Sequence, residues 1–163
     1  MKKIFYFLSL LFIVTSCTED IKFNNPAFQG LKDNVFWRSN GYIANSRTNG
    51  NIVIEGTLGY EKVILQIPSP AVQTYVLGID DVAMASYSNT SPGQLKEFST
   101  GVNNGNGQIV VTEFNSETNT ISGTFKFTAL NKDETDAENP KVIFTEGVFY
   151  KVPVSPTTNF LAD

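Results

Sequence analysis

The sequence predicts an all-β domain, an antiparallel meander of about eight to ten short strands that forms a sandwich or a barrel. Apolar and polar residues alternate with a period of two through most of the chain. Asn-Gly pairs and similar turn residues separate the alternating runs. No segment carries an apolar stripe of helical spacing and length.

Ten strands are predicted, and they lie at 35–39, 42–46, 51–57, 61–67, 74–78, 82–88, 95–100, 108–114, 120–130 and 141–152. The alternation is clearest at 120–130, where Ile121 and Phe125 share one face and Thr124 and Lys126 share the other. Hairpin turns are predicted at Asn40-Gly41, Asn49-Gly50, Asn104-Gly105 and Asn106-Gly107, because these pairs tolerate the positive φ of a tight turn. A longer connection is predicted at 115–119.

Three short runs, at 63–65, 142–144 and 148–150, are apolar on both faces. Such a strand is covered on both sides, passes through a bulge or lines a cavity. Gly147 lies beside the last run and suits a bulge or a sharp bend.

The first residues resemble a bacterial export signal. Lys2 and Lys3 precede an apolar run at 4–14, which is shorter than the roughly 20 residues that a membrane-spanning helix needs. A cleavage-site sequence follows, made of Val14, Thr15 and Ser16 directly before Cys17. This order resembles a lipobox, and it predicts that Cys17 becomes the first mature residue and carries lipid, palmitate included.

The chain therefore divides into four predicted parts. Residues 1–16 are the lipoprotein signal peptide, and 17–31 are the lipidated N-terminus with a flexible tether. Residues 32–154 form a single all-β domain, and 155–163 form a loose C-terminal tail. Thr18 follows Cys17 where inner-membrane retention is associated with aspartate, and the pair Glu19-Asp20 resembles the export tag of surface lipoproteins. We therefore expect an outer-membrane lipoprotein that faces the periplasm or the exterior.

Composition excludes several chemistries. The chain has no histidine and one cysteine, so it cannot assemble a histidine-based catalytic relay, a histidine metal site or an internal disulfide. Its net charge of −4 argues against a nucleic-acid partner. We expect no cofactor, no metal site, no catalytic residues and no enzyme activity.

Three residues are candidates for facing a ligand: Trp37, Tyr42 and Glu146. Aromatic rings on the outer face of a sandwich suit sugar stacking, and four further tyrosines, Tyr60, Tyr75, Tyr87 and Tyr150, enter the same hypothesis. The alternative for Trp37 is a core position. Glu146 shares its predicted face with apolar residues, so its carboxyl is expected in an apolar environment unless a bulge at Gly147 turns it outward.

Acidic residues suggest two weaker hypotheses. A hydrolase without histidine would use two facing carboxylates, drawn from Glu55, Glu61, Glu113 and Glu146. Asp80-Asp81 and the acidic segment 133–138 could hold a cation. A solvated turn and a hydrophilic hairpin tip explain the same two segments, and we favour those explanations.

Four segments carry a family resemblance: Phe36-Trp37 and the runs at 107–114, 119–127 and 145–150. Together with the leader, they resemble a family of small uncharacterised lipoproteins of Bacteroidota, built on an all-β domain of unknown function. The resemblance covers most of the chain from 36 to 152. It implies a location in the cell envelope and brings no catalytic residues with it.

The leading functional hypothesis is a non-enzymatic, lipid-anchored envelope module that binds a ligand or another envelope protein. The alternative is a barrel that carries a small hydrophobic ligand in an apolar cavity. A carboxylate-based glycoside hydrolase and a glycan-binding module are lower alternatives.

Overall fold

The computed structural model describes residues 25–156, and its regular structure there consists of strands. They are β1 (Ala27–Lys32), β2 (Val35–Arg38), β3 (Gly41–Ser46), β4 (Ile52–Leu58), β5 (Glu61–Ile67), β6 (Thr74–Leu77), β7 (Met84–Asn89), β8 (Lys96–Ser99), β9 (Asn106–Asn115), β10 (Thr120–Asn131) and β11 (Lys141–Ser155). The predicted all-β class is confirmed, and all ten predicted strands are present. Across 25–156, no helix is long and apolar enough to cross a membrane.

One continuous sheet of eleven strands folds over to form two layers. The larger layer has the order β2-β1-β11-β10-β9-β6, and the smaller layer has the order β3-β4-β5-β7-β8. The layers join at two corners, where β11 pairs with β3 and β10 pairs with β8. Seven strands therefore close into a flattened barrel, and β2-β1 and β9-β6 extend the larger layer beyond it.

The two corners depend on the length of β10 and β11. The last residues of β11, Val154 and Ser155, pair in parallel with Ala44 and Asn45 of β3. The other pairings are antiparallel, as predicted, but this parallel contact means that the sheet is not a simple meander. Because β11 has 15 residues, its end continues past β1 and reaches the smaller layer.

Two bulges bend β11 on the way. The register between β10 and β11 shifts between Phe125 and Phe127 and again between Ile121 and Gly123. Glu146 and Lys151 adopt φ of 51° and 48°, in the left-handed region that non-glycine residues rarely enter. The N–H of Lys151 donates to Oγ of Ser122 over 3.0 Å, so the second bulge leaves this donor satisfied.

Aromatic rings fill the space between the layers. Phe28 of β1 lies 5.2 Å from Phe125 of β10, and Phe127 lies 4.9 Å from Phe144 of β11. Tyr87 reaches Phe144 from the smaller layer, with 5.7 Å between the ring centroids. The runs predicted to be apolar on both faces alternate after all. In 63–65 and 142–144 the central residue faces outward and is only partly buried, whereas in 148–150 the central Phe149 is buried and its two neighbours face outward.

The predicted boundaries need one correction at the N-terminal side. We predicted a flexible tether over 17–31 and a domain beginning at 32, but β1 starts at Ala27 and pairs with both β2 and β11. Phe28 and Gly30 face the core, so this segment is part of the domain. The signal peptide, Cys17 and the tail beyond 156 lie outside the described residues.

Three of the predicted hairpin turns are also wrong. Asn49-Gly50 connects paired β3 and β4, and 115–119 connects paired β9 and β10, as predicted. Asn40-Gly41 instead passes from the larger layer to the smaller one, since β2 and β3 are not neighbours. Asn104-Gly105 joins two strands that do not pair, and Asn106-Gly107 lies inside β9. Positive-φ residues occur at layer changes as well as at hairpins.

Candidate functional site: the aromatic groove

The outer face of the larger layer carries a groove of about 550 Å³. It crosses the edge strand β2, the adjacent strand β1 and the next strand in the sheet, β11. We call it the aromatic groove, and it is lined by Asn25, Ala27, Gln29, Phe36, Arg38, Val148 and Tyr150. Its volume lies within the range of about 300–1,000 Å³ that is typical of ligand sites.

The alternation of β2 determines which side chains reach the groove. Trp37 points inward and is buried, so its neighbours Phe36 and Arg38 point outward and are exposed. The Phe36 side chain is 63% exposed, although a ring of this size usually lies in a core. Edge strand β2 therefore presents an aromatic ring and a guanidinium on one face.

Strand register places a polar row across the middle of the groove. Gln29 of β1 lies opposite Arg38 of β2 on one side and opposite Val148 of β11 on the other. Phe36 lies two residues before Arg38, and Tyr150 lies two residues after Val148. Because β2 and β11 run in the same direction on the two sides of β1, the two rings lie on opposite sides of this row.

The groove is locally cationic, although the chain is acidic overall. Nη1 of Arg38 donates to Oε1 of Gln29 over 3.0 Å, which orients both side chains. Nζ of Lys151 lies 5.4 Å from the centroid of the Tyr150 ring, at a distance that allows cation–π attraction. The residues that line the groove include no carboxylate.

The predicted ligand-facing residues are not brought together. Trp37 is 3% exposed and packs edge-on against Phe28 and Phe144, so it occupies the core position that was our alternative. Tyr42 is partly buried against the core, and its hydroxyl donates to the carbonyl of Pro26 over 3.2 Å.

Glu146 is exposed, so of the two arrangements that we considered the structure shows the one in which a bulge turns its carboxyl outward. The bulge at Gly147 turns its side chain away from the buried face of β11. It lines a separate shallow depression with Gln108 and Lys126.

The other tyrosines divide between core and surface. Tyr75 and Tyr87 are buried, and Tyr60 is 61% exposed at the β4–β5 turn, away from the groove. Only Tyr150 of the predicted stacking residues lines the aromatic groove. Our sequence reasoning missed Phe36, Gln29 and Arg38 as site residues. Phe36 and Arg38 share a face two residues apart, and that spacing was the signal available.

A second polar feature lies between the layers, and we call it the Lys32 cluster: Lys32, Trp37, Glu61 and Tyr87. Nζ of Lys32 bonds to Oε1 of Glu61 over 3.1 Å and to the Tyr87 hydroxyl over 2.9 Å. Nε1 of Trp37 donates to Oε2 of Glu61 over 2.7 Å. Both oxygens of the Glu61 carboxylate are therefore engaged in contacts within the protein.

The Lys32 cluster shifts two pKa values. Burial disfavours the charged form of Lys32, but its bonds to Tyr87 and Glu61 outweigh that effect and raise its pKa. Burial also raises the pKa of the Tyr87 hydroxyl, against the attraction of the Lys32 ammonium. At neutral pH the lysine is charged and the tyrosine is protonated, so the cluster is a salt bridge with a neutral hydroxyl.

The carboxylates proposed for a hydrolase are dispersed. Glu61 faces the interior, whereas Glu55 lies on the outer face of the smaller layer and pairs with Lys62 at 3.6 Å. Glu113 and Glu146 are exposed on the larger layer. The arrangement does not place Glu61 and Glu55 across a common cleft.

The acidic segments form turns. Oδ1 of Asp80 accepts from the N–H groups of Val82 and Ala83, while Oδ1 of Asp81 accepts from Val102. Asp136 pairs with Lys96 at 3.5 Å. Within 25–156, no group of three or more acidic, cysteine or histidine residues is arranged to hold a metal ion.

The side chains of segment 133–138 form hydrogen bonds within the segment and with adjacent residues. Hydrogen bonds from Thr135 lower the pKa of Asp133. Hydrogen bonding to Asn139 lowers the pKa of Asp136.

Comparisons with known proteins agree with the leader and the fold. Residues 1–18 match the prokaryotic membrane lipoprotein lipid attachment site. The chain is thus a lipid-anchored, all-β protein of the prokaryotic cell envelope. Residues 24–153 match DUF6252, a domain of unknown function, and the chain belongs to this family. Searches of curated proteins and of solved structures gave no match.

Proposed function

We propose that this protein is a non-enzymatic binding module held at the outer membrane by lipid on Cys17, and that the aromatic groove binds its ligand or envelope partner. The observation that carries the proposal is the pair formed by Phe36 and Arg38. An exposed ring and a guanidinium share one face of an edge strand, over a concave surface, where they have no role in core packing.

The filled interior favours a surface-binding module over a carrier of hydrophobic ligands. A carrier requires an apolar cavity between the layers, and the described rings occupy that space at ordinary contact distances. A ligand inside the barrel would have to displace Phe125, Phe127 or Phe144.

The dispersed carboxylates support a non-enzymatic role. A glycoside hydrolase places its two carboxyl groups about 5–10 Å apart across the scissile bond. Glu61, the most protected carboxylate of the four candidates, is held by Lys32 and Trp37 and is not turned toward the aromatic groove.

The anchor places the groove near the bilayer. Seven residues separate Cys17 from Asn25, which lines the groove. The eight Cα–Cα steps from Cys17 to Asn25 span at most about 29 Å when the chain is fully extended. A ligand of the groove therefore belongs to the envelope surface or to the space directly above it.

Capture from the envelope tests the binding role. The intact lipoprotein is expressed in its own host, crosslinked and recovered, and the co-purified material is compared among variants. Phe36→Ala and Arg38→Gln should lose a component that the wild type retains. Tyr60→Ala and Arg47→Gln remove an exposed tyrosine and an exposed arginine outside the groove, and they should retain it. Equal recovery by all four variants would refute the assignment of the groove.

Labelling tests the anchor separately. Radiolabelled palmitate should enter the wild-type protein and be absent from Cys17→Ala, and the labelled protein should fractionate with the outer membrane. Persistent label in Cys17→Ala would contradict the lipid assignment. Label in the inner-membrane fraction alone would contradict the outer-membrane location and leave the lipid assignment intact.

A further inference from the structure

We infer that the aromatic groove takes an acidic saccharide, whose sugar rings stack on Phe36 and Tyr150 and whose carboxylate pairs with Arg38. This inference rests on the proposed binding function and specifies the chemical class of the ligand.

The arrangement of the two rings indicates an extended ligand made of several units. Phe36 and Tyr150 lie on opposite sides of the polar row, which consists of Arg38 and Gln29 and ends at the apolar Val148. A ligand that contacts both rings therefore crosses the polar row. A saccharide chain presents apolar C–H faces that suit an aromatic ring, together with polar edges between them.

The polar row supplies the donors for the middle of such a ligand. One N–H group of Arg38 donates to Gln29. The planar guanidinium has several further N–H donors, and their geometry matches the two oxygens of a carboxylate. Because the hydrogen bond to Gln29 holds the guanidinium of Arg38 in place, less side-chain entropy is lost when a carboxylate binds to it. The amide of Gln29 offers hydrogen bonds of the kind that sugar hydroxyl groups accept.

The charge of the groove selects an acidic ligand over a neutral one. Arg38 lies in the groove, Lys151 lies over the Tyr150 ring, and no lining residue carries a negative charge. The nearest acid along β11, Glu146, lines the neighbouring depression with Lys126. In a chain with a net charge of −4, this is a local site for an anion.

Calorimetry with defined oligosaccharides tests the inference on the full-length lipidated protein in detergent micelles. The acidic probes are tetrasaccharides of galacturonate, of alginate and of hyaluronan. Fully methyl-esterified tetragalacturonate is the matched neutral probe, because it keeps the sugar backbone and loses the charge. At least one acidic probe should bind with a Kd below about 1 mM.

Variants then assign the binding to the groove. Arg38→Gln and Phe36→Ala should each weaken binding of that acidic probe by about tenfold or more. Tyr60→Ala and Arg47→Gln should stay within about twofold of the wild type. Raising the salt concentration should weaken the acidic probe, since ion pairing with Arg38 is screened.

Three outcomes would overturn the inference. They are the absence of binding by all three acidic probes, equal binding of the methyl ester and its acid, and equal binding of an Asp-rich hexapeptide. In each case the capture experiment distinguishes the two proposals. If Phe36→Ala no longer captures the envelope component that the wild type captures, the groove is a binding site for a ligand of another class. If Phe36→Ala still captures that component, the proposed function is refuted as well.

Discussion

Nε1 of Trp37 donates a hydrogen bond of 2.7 Å to Oε2 of Glu61, and this bond joins the two layers of the sandwich. Trp37 lies on β2 at the edge of the larger layer, and Glu61 begins β5 in the smaller layer. Lys32 on β1 crosses the same gap to reach Glu61 and Tyr87. The Lys32 cluster therefore fixes the position of edge strand β2, which presents Phe36 and Arg38 to the groove.

Breaking the bond between Trp37 and Glu61 should destabilise the fold. A double-mutant cycle with Trp37→Phe and Glu61→Met should give a coupling free energy of about 1–3 kcal/mol in urea unfolding, because the bond has a charged acceptor in a partly buried place and methionine offers no oxygen to replace it. Tyr60→Phe changes an exposed ring and should leave the free energy of unfolding unchanged within about 0.5 kcal/mol. A coupling near zero would mean that the two side chains do not hold the layers together.

Stability should fall at alkaline pH. The pKa of Lys32 is raised above 10.5 and that of Tyr87 above 10.0, so the folded chain keeps both protons to a higher pH than the unfolded chain does. Their contribution is complete below about pH 10 and is lost as the pH rises through the folded-state pKa values. Urea midpoints between pH 8 and pH 11 should fall more steeply for the wild type than for the double variant Lys32→Met, Tyr87→Phe, which removes both titrating groups. Lys62→Met, which changes a lysine on the outer face, should keep the wild-type slope.

Gly56→Ala should overpack the contact between the layers. A Cβ at Gly56 would lie 2.6 Å from Cδ1 of Phe28, which belongs to β1 in the other layer. We expect a loss of about 1–3 kcal/mol in the free energy of unfolding. Phe28→Leu makes room, so the double variant should lose less stability than the two single changes added together. Strict additivity would show that the two positions do not touch.

Glu146→Gly should stabilise the protein. Glu146 adopts a φ of 51°, which costs a non-glycine residue about 1–2 kcal/mol, whereas glycine adopts it without that cost. The greater chain entropy of glycine in the unfolded state offsets about half of this gain, which leaves a rise of about 0.5–1 kcal/mol. Glu113→Gly lacks the positive φ and should lower stability instead. Equal losses in both variants would contradict strain at the bulge.

Thr135→Val should raise the pKa of Asp133. Oγ1 and the N–H of Thr135 both donate to Oδ1 of Asp133, at 2.6 Å and 3.0 Å, and they favour its charged form. Removal of the hydroxyl should move the pKa of Asp133 upward toward its ordinary 3.8 in a carboxyl ¹³C NMR titration. Thr118→Val, at another hairpin, is the control and should leave that pKa unchanged.

The period-two pattern was sufficient to predict most of the strands, because each has one face on the interior. It failed at β1, where Gly30 looks like a linker residue. A Cβ at Gly30 would lie 3.1 Å from the Thr145 carbonyl oxygen and from Cα of Gly147, so the close approach of the β11 bulge accounts for the glycine. That approach joins residues more than a hundred positions apart, and local patterning does not record it.

The groove was harder to predict for the same reason. Phe36 stands beside Trp37, and both rings suit a core by composition, but strand alternation sends them to opposite sides. Deciding which of the two is exposed requires knowing that β2 is an edge strand and which face of the larger layer it covers. The partners of the groove on β1 and β11 follow from long-range register, which composition and spacing do not encode.

The course of β11 has a consequence for the order of events during biogenesis. This strand pairs with β1, with β10 and with β3, and its last two residues close a corner of the barrel. Neither β1 nor the corner can be completed before the C-terminal part of the chain has emerged, and contacts of such long sequence separation form slowly. The larger layer and its corner with β3 therefore stay incomplete until β11 has been made, whereas the local pairings of β3, β4, β5, β7 and β8 require no C-terminal residue.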